Sequence, residues 1–196
     1  MATGIDIEGK DIDGMGIEAF DIDAARQRLT ATFPLVNDHP DVAGLLRNPE
    51  LMALIGPALA YPYLARPPTV IAAPEARGQV VGALVARELE VGLVLVRKQD
   101  RNHPGADVEV VSGPTWRGVA ETFQARSFDL AATDRVLIVD DWITTGNSVR
   151  AVAEYARGCG SEVIGAATIV DKATPATIAS LEVHTLVGFD DIVARV

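Results

Sequence analysis

Apolar residues along this chain switch repeatedly between two spacings, and the switching predicts its elements. Short, mostly apolar runs read as buried strands: Thr69–Ala73, Gly92–Val96, Val136–Val139, Glu162–Val170 and Val183–Phe189. Between them the spacing lengthens to three and four. Val81, Leu84, Val85 and Leu89 form the inward stripe of a helix over Val80–Glu90, and Val149, Val152, Ala153 and Tyr155 that of another. Thr174–Leu181 is a shorter helix, opened by Thr174-Pro175. Strands alternating with helices predict an α/β fold with a doubly wound, mostly parallel sheet. Weak strand signals at Val108–Val111 and Thr122–Ala125 suggest a hairpin reaching out from that sheet.

Ahead of the alternation lies a helical part. Leu29 and Phe33 share one face of a helix over Ala24–Phe33, and a break follows at Asn37-Asp38-His39-Pro40. More helix runs through Asp41–Leu64, punctuated by Pro49, Pro57 and Pro62. Asn48-Pro49-Glu50 has the form of a helix start, with Asn at the cap and Pro in the first turn. Leu51, Leu54, Ile55 and Leu59 supply the buried stripe. These elements predict a small hood beside the sheet.

Composition sharpens this picture in three places. Hydrophobic residues make up 48% and aromatics only 5%, so the core is aliphatic, as suits parallel strands covered on both faces. The net charge of −10 argues against a general nucleic-acid binder. Much of the acid sits in residues 1–23, where Asp6, Glu8, Asp11, Asp13, Glu18, Asp21 and Asp23 face Lys10 alone. That stretch reads as a low-complexity, partly disordered extension without a catalytic role, leaving 24–196 as a single domain. Cys159 is the sole cysteine, which fits a reducing compartment and a structural thiol. With no apolar leader, and no uncharged stretch long enough to span a bilayer, the expectation is a soluble cytoplasmic protein.

The candidate chemistry centres on Arg135–Ala151, RVLIVDDWITTGNSVRA. A strand runs into Asp140 and Asp141, a turn follows at Thr144-Thr145-Gly146-Asn147-Ser148, and a helix begins near Val149. The open N–H groups and positive dipole end of a helix favour a phosphate. Gly146 permits close backbone approach, and the hydroxyls of Thr144, Thr145 and Ser148 add donors. The acids would repel a phosphate; they suit ribose hydroxyls or help to hold Mg²⁺. Either fragment alone is an ordinary turn or cap. In this order they predict a cradle for a phosphorylated sugar.

Two cationic loops fall at neighbouring strand ends, where ligands of open α/β sheets sit. Pro74-Glu75-Ala76-Arg77-Gly78 follows the first strand, and Arg97-Lys98-Gln99-Asp100-Arg101-Asn102-His103-Pro104-Gly105 the second. Singly these are ordinary surface charges. Together they suit a second anionic group.

The 13-residue segment VLIVDDWITTGNS resembles the phosphoribosyl-pyrophosphate signature of type I phosphoribosyltransferases. LRNPELMALIGPAL and APEARGQVVGALVARELEVGLVLVRK are similar to parts of the adenine (purine) enzymes, and RKQDRNHPG to the mobile loop of the orotate enzymes, with Arg101 in place of lysine. The resemblance implies that Asp140 and Asp141 hold the ribose hydroxyls, and Mg²⁺ through ribose or water. Thr144, Thr145, Gly146, Asn147 and Ser148 would cradle the 5′-phosphate. Glu75, Ala76, Arg77 and Gly78 would form the pyrophosphate loop, often built around a cis peptide in that family. Arg97, Lys98, Arg101 and His103 would shield the leaving group, reaching across a homodimer interface. The implied partners are phosphoribosyl pyrophosphate and a nucleobase, adenine-like, with neither nucleic acid nor membrane.

The chain departs from the purine pattern in two places. Where those enzymes carry a Tyr-Glu-Tyr-Gly-like segment, this chain reads TWRGVAETF, with Glu121 a weak substitute for the acid. DVAGLL lacks the aromatic expected near residues 40–45, and Trp142 either lies against the base or caps the core. An orotate-like pyrimidine enzyme and a non-catalytic phosphoribosyl pyrophosphate-binding regulator are the alternatives; the intact cationic loops favour an enzyme. RVLIVDD also resembles the first strand of a receiver domain, but only 55 residues follow Asp141, too few to complete one.

Overall fold

The computed structural model describes residues 20–114 and 118–195. Elements follow in chain order: α1 (Ile22–Thr32), β1 (Leu35–Val36), β2 (His39–Pro40), α2 (Val42–Arg47), α3 (Pro49–Ala60), β3 (Val70–Pro74), α4 (Arg77–Glu88), β4 (Gly92–Lys98), β5 (Val108–Val111) and β6 (Thr122–Ala125). The second half holds β7 (Arg135–Ile143), α5 (Asn147–Gly158), β8 (Glu162–Asp171), α6 (Pro175–Ser180), β9 (Val183–Gly188) and α7 (Phe189–Val193). Seven strands form one sheet in the order β5-β6-β4-β3-β7-β8-β9. The five from β4 to β9 run parallel, so the α/β, doubly wound expectation holds.

The hairpin differs from expectation. Instead of reaching away, β6 pairs antiparallel with the end of β4 through Arg97↔Gln124 and Lys98↔Phe123, extending the sheet. Phe123 and Ala125 are buried there, which anchors the pairing.

Apolar packing covers both faces. One core joins Leu29, Ile55, Leu59, Val81 and Val85 of the helices to Ile71, Leu137 and Ile169 of the sheet. The other sets Val149, Val152, Ala153 and Tyr155 of α5 against Ala72, Ile138 and Ala166. The Asn48 cap is present: its Oδ1 accepts from Glu50 N at 3.0 Å and Leu51 N at 3.2 Å. Asp21 caps α1 by accepting from Ala24 N, and Phe20 packs against the first core. Residues 20–23 therefore serve the folded part. The remainder of the acidic stretch, 1–19, lies outside the described residues.

The hood is fastened to the sheet by polar contacts as well. Arg26 Nη2 donates to Thr185 O at 3.1 Å and lies 3.5 Å from His184 Nδ1. Burial, and secondarily Arg26, push the His184 imidazole down to about 4 from its usual 6.5. A pKa lowered by folding stabilises the fold above pH 6.5, and that contribution is lost as pH falls through 4. Acidification across this window should therefore remove about 3 kcal/mol of stability. Thermal melts of His184→Gln should show a flatter pH dependence; an unchanged one would assign the acid loss elsewhere.

Candidate active site

β3 sends its chain to β4 on one side, while β7 lies on its other side. The sheet thus reverses its winding between β3 and β7, and such a switch point opens a crevice beyond the strand ends. The acid pair and the first cationic loop meet in this crevice. Arg77 Nε donates to Asp141 Oδ2 across it. Gly78 sits against the other acid, since a Cβ placed there would lie 2.7 Å from Asp140 Oδ1 and 3.2 Å from Val139 O. Only glycine admits so close an approach.

Both acids lie within β7 rather than beyond it. The strand extends to Ile143 because β8 continues alongside, pairing Asp140↔Thr168, Trp142↔Val170 and Ile143↔Asp171. Burial, then the neighbouring Asp141 charge, raise the Asp140 carboxyl well above the usual carboxylate range. Asp140 Oδ1 also accepts from Asp141 N at 2.8 Å. The Asp141 side chain is 10% exposed and has Arg77 as its counter-cation.

Both flanking helices begin earlier than their apolar stripes suggest. α4 starts at Arg77 after the cis Glu75–Ala76 bond, so Arg77 and Gly78 occupy its first turn. α5 starts at Asn147 behind Gly146, whose φ of 74° is a left-handed conformation. Neither start has a side-chain cap, which leaves first-turn N–H groups open towards an anion. Arg150 Nη1 braces the second turn by donating to Thr145 O at 2.9 Å. A Cβ on Gly146 would strike Leu181 Cδ1 at 2.6 Å. Thr144 and Ser148 are half-buried and Thr145 is exposed. Asn147 N donates to Thr145 Oγ1 at 3.3 Å, while its Nδ2 donates to Pro114 O at 2.6 Å and ties the cradle to the loop after β5.

The second cationic loop is already neutralised from within. Glu75, proposed from sequence as a substrate contact, turns its carboxylate on the cations. Oε2 accepts from Lys98 N at 3.1 Å and Arg97 Nε at 3.4 Å, and Oε1 lies 3.9 Å from Arg101 Nε. Lys98 Nζ pairs with Glu121. Glu121 thereby joins this loop as a partner of its lysine. His103 Nδ1 is 3.3 Å from Gln124 O, which fastens the loop tip to β6. Arg97 and Lys98 belong to β4 itself, and Gln99–Arg101 forms a single 3₁₀ turn. Arg117 falls outside the described residues.

Trp142, expected from the sequence either to lie against the base or to cap the core, packs on the first core within an aromatic group whose other members the sequence did not reveal. Trp142 stacks on His39 at 5.5 Å between centroids, and Phe189 lies 6.0 Å from Trp142 and 5.7 Å from His39. Lys172 Nζ sits 3.7 Å over the Phe189 ring. Trp142 thus fastens β2 and α7 to the end of β7.

A doubly wound sheet with an acid pair and two uncapped helix starts at its switch point defines an α/β protein whose ligand face lies at the carboxyl ends of its strands. Residues 42–180 match the phosphoribosyl transferase domain. The chain belongs to that family, and is a transferase of the type I phosphoribosyltransferase fold. It is 36% identical over 131 residues to an adenine phosphoribosyltransferase of Streptomyces galbus, covering 67% of this chain and 70% of the relative. With the adenine phosphoribosyltransferase of Edwardsiella ictaluri it shares 35% over 157 residues, covering 76% and 83%. Among solved structures, the adenine phosphoribosyltransferase of Rhodothermus marinus superposes with a TM-score of 0.73 at 26% identity, covering 85% of this chain and 99% of that one. The Trypanosoma brucei enzyme, solved in complex with AMP, pyrophosphate and ribose-5-phosphate, gives 0.71 at 25%, covering 86% and 81%. No helix among the described residues is long and apolar enough to cross a membrane.

Proposed function

We propose that this chain transfers the 5-phosphoribosyl group from phosphoribosyl pyrophosphate to adenine, giving AMP and pyrophosphate. The observation that carries this reading is the Arg77–Asp141 contact, which sets an anion-binding helix start against a carboxylate pair at one switch point. Asp140 and Asp141 take the ribose hydroxyls. The open first turn of α5 takes the 5′-phosphate, with Thr144, Thr145 and Ser148 as added donors. The first turn of α4, with Arg77, takes the pyrophosphate, and Arg97, Lys98, Arg101 and His103 close over it. Cleavage at C1 leaves positive charge on the sugar and growing negative charge on the leaving group. Fixed carboxylates favour the first, and cations and N–H dipoles the second. No covalent nucleophile is required.

Mg²⁺ fits as part of the donor. Among the described residues no cluster of three or more His, Cys, Asp or Glu could hold a metal ion. Mg²⁺ is commonly held by one or two carboxylates together with substrate phosphates. Asp140 and Asp141 would meet it through ribose or water, and it would neutralise leaving-group charge. The cationic loops, drawn in towards Glu75 and Glu121, suit a second copy of the chain closing over the site. Homodimer formation belongs to this proposal, as does a soluble, cytoplasmic location.

The test mixes the protein with phosphoribosyl pyrophosphate and Mg²⁺ and measures pyrophosphate release with adenine, hypoxanthine, guanine or orotate. Release with adenine far above the other bases is expected. Release with orotate alone would reassign the enzyme, and no release with any base would leave a binding protein. A chain shortened to begin at Phe20 should keep the full rate, because residues 1–19 take no part in the reaction as proposed.

A further inference from the structure

One buried polar group near the crevice has no use in the free protein. Thr168, on β8, is fully buried, and its hydroxyl has no hydrogen-bond partner among the described residues. A valine would fill the same space without stranding a donor, so the hydroxyl costs stability in this state. Its place in the sheet shows where a partner lies. Thr168 is the register neighbour of Asp140 on β7 and of Thr185 on β9. Two residues earlier, Ile138 and Ala166 both enter the core under α5. Side chains alternate along a strand, so Asp140 and Thr168 project from that same face. Neighbouring strands lie about 4.8 Å apart, which puts a hydroxyl and a carboxylate within one rotamer change of a hydrogen bond.

Asp140 has room for that bond. Its Oδ1 accepts from Asp141 N and lies against Gly78, and the carboxyl also meets the Asp141 side chain; a carboxylate can take about four donors, so lone pairs remain for Thr168. We propose that Thr168 is a positioning residue for Asp140: its Oγ1–H donates to the Asp140 carboxylate once the sugar donor is bound, and fixes the rotamer that meets the ribose. This rests on the assignment of Asp140 to the ribose made above. The hydroxyl is then unpaired in the free protein and paired in the complex. Thr168 thereby favours the bound state without touching substrate.

Thr168→Val and Thr168→Ser test this through thermal melts with and without phosphoribosyl pyrophosphate and Mg²⁺, alongside steady-state kinetics. Valine should leave the free protein as stable as wild type or more so. It should weaken the ligand-induced rise in Tm, reflecting roughly tenfold poorer donor affinity, and lower kcat/KM for the donor by a similar factor. Serine, which keeps the hydroxyl, should restore both to within about threefold. In an Asp140→Asn background the valine change should add almost nothing, because the two act as one unit. A normal ligand-induced shift and rate in Thr168→Val would overturn the positioning role while leaving the transferase reading intact. A wild-type chain with neither shift nor turnover would overturn both.

Discussion

Replacing Asp140 and Asp141 together by asparagine should weaken binding of phosphoribosyl pyrophosphate at least tenfold and lower kcat/KM by about a hundredfold or more, the range seen when one preorganised polar contact to a transition state is lost. The size follows from where the charges sit. Both carboxylates are held in a crevice where protein replaces most of the water, so their interaction with a cationic sugar is poorly screened. Asparagine keeps shape and some hydrogen bonding but removes the negative charge. The double variant should nevertheless fold. Burial already disfavours the charged form of Asp140, so neutralising that residue relieves a cost in the free protein. Titration calorimetry with the donor separates the outcomes. Unchanged affinity would remove the acid pair from the site, and a Tm close to wild type would show that any loss is not unfolding.

The same acids show how far sequence can lead. The alternation of strands and helices was legible because each central strand carries a mostly apolar run, and the longer helices a stripe at three- and four-residue spacing. The Asn48 cap was legible because capping is local chemistry. What escaped depends on pairing between distant segments. Asp140 to Ile143 reads as a strand end and turn, yet it stays in the ladder because β8 runs beside it as far as Asp171. Arg77 and Gly78 read as turn residues and become a helix start once α4 packs on the sheet. Glu75 shows the sharper limit. A carboxylate in a cationic loop looks like a ligand contact, and only the folded arrangement reveals two guanidinium groups and the Lys98 backbone N–H gathered on it. His39, Phe189 and Lys172 were missed for the same reason. They come from the hood, from α7 and from the end of β8, and meet only around Trp142.

Arg77→Ala should lower kcat/KM by about two orders of magnitude, through two separable effects. The first is catalytic: the guanidinium stands at the first turn of α4, where pyrophosphate charge grows in the proposed reaction, and its loss removes preorganised stabilisation of the leaving group. The second is structural. Asp141 is 10% exposed and would lose its counter-cation beside a second carboxylate. A fully buried pair costs about 3–5 kcal/mol when broken, but the Arg77 side chain is 57% exposed, so about 1–2 kcal/mol is expected here. Adding Asp141→Asn separates the two. That second change should recover most of the lost stability, because no unpaired charge remains, and none of the lost rate. Arg77→Lys should hold Tm near wild type while recovering only part of kcat/KM, since an ammonium keeps the charge but not the planar fork. If Arg77→Ala lost stability alone, with kcat/KM unchanged at temperatures well below its Tm, the arginine would be a structural partner of Asp141 and the pyrophosphate would have to bind elsewhere.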